Sequence, residues 1–173
     1  LGLGMLIGVD QEGGPVARLR RGFTVFPSQM AQAATGRPDL ARLAAAATGR
    51  ELAAVGINVD FAPVADVNIN PANPVIDIRS FGSTPADVAR FTAAATSGYR
   101  SAETICTPKH FPGHGDTSVD SHVGLPRVDH DAARLNAVDF PPFRAAFAAG
   151  APAVMTAHVL APALEPGDLP ATL

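Results

Sequence analysis

Residues 109–122, KHFPGHGDTSVDSH, gather three of the chain's five histidines, two aspartates and its only lysine. Pro112, Gly113 and Gly115 break the stretch, so neither a regular helix nor a long strand fits it. Its residue types allow three chemistries. A metal centre would draw on His110, His114, Asp116, Asp120 and His122, donors that suit zinc or a non-haem metal. Pro112 and Gly113 lie between His110 and His114, which removes the helical i,i+4 geometry, and no Glu or Cys stands nearby. Metal is therefore the minor reading, and neither a metal nor a cofactor is expected. An acid–base pair needs less. Asp120 and His122 are two apart, and in an extended or turn backbone such side chains share a side. A carboxylate beside an imidazole orients it and raises its pKa, and an imidazole near neutrality can give a proton in one step and take one in the next. The third reading is a solvated loop whose His and Asp are chance neighbours. The residues by themselves leave the second and third open. His114 and Asp116 read as groups that hold the loop's own turns.

Such groups need elements to position them. Four short apolar runs predict buried strands: MLIGVD (5–10), INVDFAP (57–63), TICTPKHF (104–111) and AVMTAH (153–158). Helical patterns lie between them. Residues 39–55 are rich in Ala and Leu and stop at Gly56. Thr84 as N-cap, Pro85 and Asp87 open a helix over 85–97. Residues 131–149 predict two short helices broken at Pro141 and Pro142. Strand and helix in strict alternation predict a parallel α/β fold. The strands start about 50 residues apart, whereas a bare βα unit of an eight-fold barrel needs about 31. The surplus follows the strands, where α/β enzymes carry their sites.

Further candidates sit at those strand ends. Asp10 closes the first strand, and Arg18 follows beyond Gly13–Gly14. A carboxylate and a guanidinium can divide the hydroxyls of a polyol between acceptor and donor. On spacing alone, a capping Asp and a surface Arg are the simpler account. Arg79 either enters a cleft or pairs with Asp77 or Asp87. Lys109 and His110 end the third strand, where alternation prevents both from pointing into one barrel unless the backbone is unusual. His158 lines a pocket or joins the core. His130 reads as surface at a helix start. Cys106 reads as a buried, inert thiol.

At 173 residues, one domain is expected. Hydrophobic residues make up 47% and charged residues 17%, which fits a globular protein and argues against disorder. A net charge of −3 with scattered arginines gives no reason to expect nucleic acid. One cysteine excludes an internal disulfide. No apolar run reaches the roughly 18 residues of a membrane span. The chain starts LGLGMLIG without an initiator Met and ends DLPATL in mid-loop. Both ends are expected to be cuts, and localisation stays open.

Taken together, GVDQEGGPVARL, GINVDFAPVADVNINPANPVIDIRSFGS, KHFPGHGDTSVDSH and AVMTAHV resemble glycoside hydrolase family 3, in its NagZ-type β-N-acetylglucosaminidase branch. The resemblance runs in order over nearly the whole chain. It implies a (β/α)8 TIM-type barrel of which about the first half is present, acting on a carbohydrate that contains N-acetylglucosamine, with retention. It implies His122 as general acid/base on a mobile loop and Asp120 as its orienting partner. Asp10, Arg18, Arg79, Lys109 and His110 match the family's sugar-binding residues. A distorted backbone at Lys109–His110 would let both face the sugar. The aspartate nucleophile would follow the next barrel strand, beyond residue 173, so the 173 residues alone are expected to be inactive. Pro15 stands where many relatives have Arg. A family phosphorylase, a β-glucosidase, a metal-dependent hydrolase and a non-catalytic sugar-binding half-barrel are the rival readings.

Overall fold

A computed structural model describes residues 4–120 and 123–173. The first strand, β1 (Gly8–Val9), leads into a hairpin of β2 (Gln11–Gly13) and β3 (Val16–Ala17). Helices α1 (Gln29–Ala33) and α2 (Pro38–Ala54) precede β4 (Val59–Asp60). A 3-10 turn at Asp77–Arg79 comes before α3 (Pro85–Ser101). The third strand has two segments, β5 (Ile105–Cys106) and β6 (Lys109–Phe111). Then follow α4 (Ala132–Arg134), a π-turn at Leu135–Asp139, α5 (Phe140–Ala148) and β7 (Met155–Thr156).

Every pairing between the main strands is parallel. Gly8 pairs with Val59, Val59 with Ile105, and Lys109 with Met155. A parallel bridge from Val64 to Lys109 carries the sheet from β4 to β6. Parallel neighbours in chain order, the first three each followed by helix, are three βα units and the strand of a fourth, about half of a (β/α)8 barrel. The alternation expected from the sequence is thus present.

Several boundaries differ. The first run is not buried: Met5, Leu6 and Ile7 are exposed, because among the described residues β1 has a strand neighbour on one side only. Thr84 is the N-cap of α3, but its hydroxyl makes no capping bond, and the helix continues to Ser101. Residues 132–148 form one helical path rather than two helices. Pro141 and Pro142 have no N–H to donate into the preceding turn, and the path widens there, with the Phe140 N–H reaching back to Leu135 O. Both prolines lie in the first turn of α5, where no donor is needed.

The core lies between sheet and helices. Ala41 and Ala45 of α2 meet Val88, Phe91, Ala95 and Tyr99 of α3, over Ala62, Val67 and Cys106. Cys106 is buried as expected, and burial pushes its thiol up to about 11. Phe111 stacks on Phe140 and meets Phe143 edge-on, with ring centroids at 5.5 and 5.3 Å, which fastens β6 to α5. No helix among the described residues is long and apolar enough to cross a membrane.

Candidate active site

The parallel strands all point their C-terminal ends toward one cavity of about 660 Å³. Asp10 after β1, Lys109 and His110 of β6, and Met155 and Thr156 of β7 contribute to its wall. Arg18, Arg79, His114, Asp120 and His158 also line it. The strand ends thus bring Asp10, Arg18, Arg79, Lys109, His110 and Asp120 together. His122 lies outside the described residues.

Lys109 has 1% of its surface exposed, and a buried ammonium needs anionic partners. Its Nζ stands 2.7 Å from Asp10 Oδ1 and 2.5 Å from Glu12 Oε1. Asp10 is therefore an ion-pair partner at the cavity. Arg79 does enter the cleft, and its partner is neither Asp77 nor Asp87. Its Nε and Nη2 grip Glu12 at 2.9 and 2.7 Å, and Nη1 donates to Val75 O at 2.9 Å. Asp87 pairs with Arg90 on the surface instead. Burial alone would push the Glu12 carboxyl up, but Arg79 and Lys109 outweigh it and hold it below its ordinary range. Glu12 was missed in the sequence, although it stands two residues from Asp10 and alternation puts both on one side.

His110 depends on Asp66, which has no exposed surface. Asp66 Oδ2 takes the His110 ring at Nδ1, 2.7 Å away. The His110 main-chain N–H lies 3.2 Å from both carboxylate oxygens, and the His114 N–H donates to Oδ1 at 2.7 Å. Burial opposes the Asp66 anion, yet His110 and these N–H groups keep the carboxyl below its ordinary value. Asp66 was also missed. Its signal is a lone acid inside the apolar run PVADV. The peptide bond between Lys109 and His110 is cis, and the sheet register shifts between Lys109 and Phe111. Both side chains face the cavity, as the expected irregular backbone allows.

The remaining histidines sort as follows. His158 is pocket-lining, with Nδ1 2.8 Å from Thr172 Oγ1. His114 holds a local turn through Thr117 Oγ1 at 2.6 Å, and burial pushes its imidazole down. Asp116 and His130 do not behave as expected. Asp116 reaches His130 Nε2 at 2.9 Å, and among the described residues its side chain caps no N–H of its own loop. His130 is no surface residue at a helix start, because its other nitrogen meets the buried Asp139. Among the described residues no group of three such side chains is arranged to hold a metal ion. The arrangement suits a neutral, hydroxyl-rich ligand: fixed cations donate, Asp10 accepts, and Asp120 stands at the wall.

The whole length, residues 1–173, matches the family model described as glycosyl hydrolase family 3 N terminal domain. The chain belongs to glycoside hydrolase family 3. Within family 3 it is 48% identical over 168 residues to the beta-hexosaminidase A of Pseudoalteromonas piscicida, a match covering 94% of this chain and 28% of that protein. A family 3 beta-N-acetylglucosaminidase from Paenibacillus sp. str. FPU-7 superposes with a TM-score of 0.96 at 54% identity, covering 98% of this chain and 32% of that one. NagZ from Neisseria gonorrhoeae, solved in complex with N-trifluoroacetyl-D-glucosamine, gives 0.88 at 35% identity, covering 95% and 50%. This family 3 chain thus spans between about a quarter and a half of the length of these relatives.

Proposed function

We propose that the protein carrying this chain is a retaining glycosidase that removes terminal β-linked N-acetylglucosamine from cell-wall or chitin-derived oligosaccharides. The observation that carries the reading is the cavity in which Lys109 and Arg79 are locked around Glu12 while Asp10 and His110 face the same space. Lys109, Arg79 and Arg18 donate to sugar hydroxyls, and Asp10 accepts. His110, held at Nδ1 by Asp66, presents Nε2. Because Lys109, Arg79, Asp10 and His110 are held by partners before substrate arrives, little ordering of these four remains to oppose binding. His122 protonates the leaving oxygen and then deprotonates water, and Asp120 stabilises the imidazolium. The aspartate nucleophile belongs to a later strand of the barrel, outside these 173 residues. A His–Asp pair in place of one of the usual two carboxyls is compatible with double displacement. The name of the Paenibacillus relative, a beta-N-acetylglucosaminidase, supports the N-acetylglucosamine preference.

The test is turnover of aryl N-acetyl-β-glucosaminides by the full gene product, with retention read by NMR of the first-formed product. Adding phosphate separates hydrolysis from phosphorolysis. His122→Ala is expected to lower turnover by roughly 10² to 10⁴, least for good leaving groups, which need no proton. Equal losses for good and poor leaving groups would rule out the acid role.

A further inference from the structure

The loop from Gly113 to Asp120 is fastened on two sides. On the first, the Asn73 and Asn70 amides hold His114 O and Thr117 O at 2.8 and 3.2 Å. Gly115 lies so close to Val67 that a Cβ would come within 1.9 Å of its carbonyl oxygen. On the second side the His130 ring makes a connection. His130 Nε2 stands 2.9 Å from Asp116 Oδ2, and Nδ1 stands 3.1 Å from Asp139 Oδ2.

These three residues belong to three different limbs. Asp116 is on the outgoing limb of the loop. His130 ends the returning limb, which Val128 anchors: its N–H donates to Leu160 O at 2.8 Å, and its side chain is buried with Leu135, Ala157 and Val159. Asp139 closes the π-turn and presses on the loop's root, where a Cβ on Gly113 would be 2.8 Å from Asp139 Oδ1. None of Asp116, His130 and Asp139 lines the cavity. Both ring nitrogens face carboxylate oxygens, so both contacts are hydrogen bonds only when the three groups share two protons: an imidazolium between carboxylates, or a neutral ring with one protonated carboxyl. Arg134 Nη2, 3.8 Å from Asp116 Oδ2, is a further charge at the cluster, and Asp66 acts on Asp139 from the other side.

We propose that His130 is a positioning residue, a clasp at the neck of this loop that fixes where Asp120 stands at the cavity wall. Only the ring's two opposed nitrogens span both carboxyls; an amide or hydroxyl in its place reaches one. The kinetic consequence rests on the acid–base role proposed above for this loop, whereas the clasp is a property of the loop itself.

Two variants of the full gene product test it, His130→Ala and Asp116→Ala, the second cutting one arm at a partly exposed residue. Hydrogen exchange of amides 113–120 is expected to accelerate by about tenfold or more in both, with α3 amides unchanged. Unchanged loop exchange overturns the clasp, whatever the enzyme does. With aryl N-acetylglucosaminides, kcat is expected to fall by about tenfold or more with KM nearly constant, and to fall further for poor leaving groups. A uniform loss across leaving groups overturns the positioning role. A parent protein with no turnover refutes the proposed function instead, and exchange still decides the clasp.

Discussion

Three of the four carboxyls buried among the described residues show how the charges around such a group decide its fate. Glu12 and Asp66 are paired, and both titrate below their ordinary range. Their contribution to stability is present above about pH 4 and is lost as the pH falls through the depressed values. Asp60 is the opposite case. Burial pushes it up to about 6, against the Gln11 N–H and the Tyr99 hydroxyl that favour its anion. Between about pH 4 and 6 the folded chain keeps this proton while the unfolded chain has lost it, so Asp60 lowers stability as the pH rises. Asp60→Asn removes that slope. The variant is expected to gain on the parent by something on the order of 3 kcal/mol between pH 4 and pH 7. Urea unfolding at both values measures it, and a difference independent of pH would refute the assignment.

The α2–α3 contact shows how small residues set the spacing of elements. Gly98 of α3 faces the main chain of α2, and a Cβ there would come within 2.2 Å of Arg42 O and 2.9 Å of Ala45 Cβ. Alanine is the better helix former by about 1 kcal/mol, which would favour Gly98→Ala in an isolated helix. Here the neighbour is a backbone carbonyl that cannot rotate away, so overpacking of about 1–3 kcal/mol or more is expected to win. The expected outcome is a lower denaturation midpoint, and a raised midpoint would show that the helices can separate at little cost. The alanine-rich pattern of residues 39–55 made the helix legible in the sequence. The partner of Gly98 was not legible, because close approach of two helices leaves no local periodicity.

Across the whole molecule, the sheet has two sides where apolar residues face solvent. Met5, Leu6 and Ile7 beside β1, and Val154 beside β7, are exposed although their types suit a core. Exposed apolar residues along strand edges are what further barrel strands would cover. This supports the reading that the full gene product completes the barrel and supplies the nucleophile. Residues 1–173 expressed alone are expected to give no turnover of aryl N-acetylglucosaminides, under conditions where the full gene product is active. Turnover by the isolated segment would overturn the missing-nucleophile proposal.

What the amino-acid sequence determined is what depends on near neighbours along the chain. Apolar runs and helical periods marked the four strands and the helices between them, and Asp10, Lys109 and His110 stood out because each closes an apolar run with a polar side chain. The cavity-facing position of Arg79 was one of two readings left open. Only the tertiary structure decided the partnerships: Arg79 with Glu12 across 67 positions, His110 with Asp66 across 44, and Lys109 with Asp10 across 99. The reason is electrostatic. A buried charge is tolerated only where an opposite charge reaches it, and that requirement acts through space rather than through spacing. The same holds for His130, which reads as surface beside Asp129 and Asp131 until the fold sets Asp116 and Asp139 on either side of it.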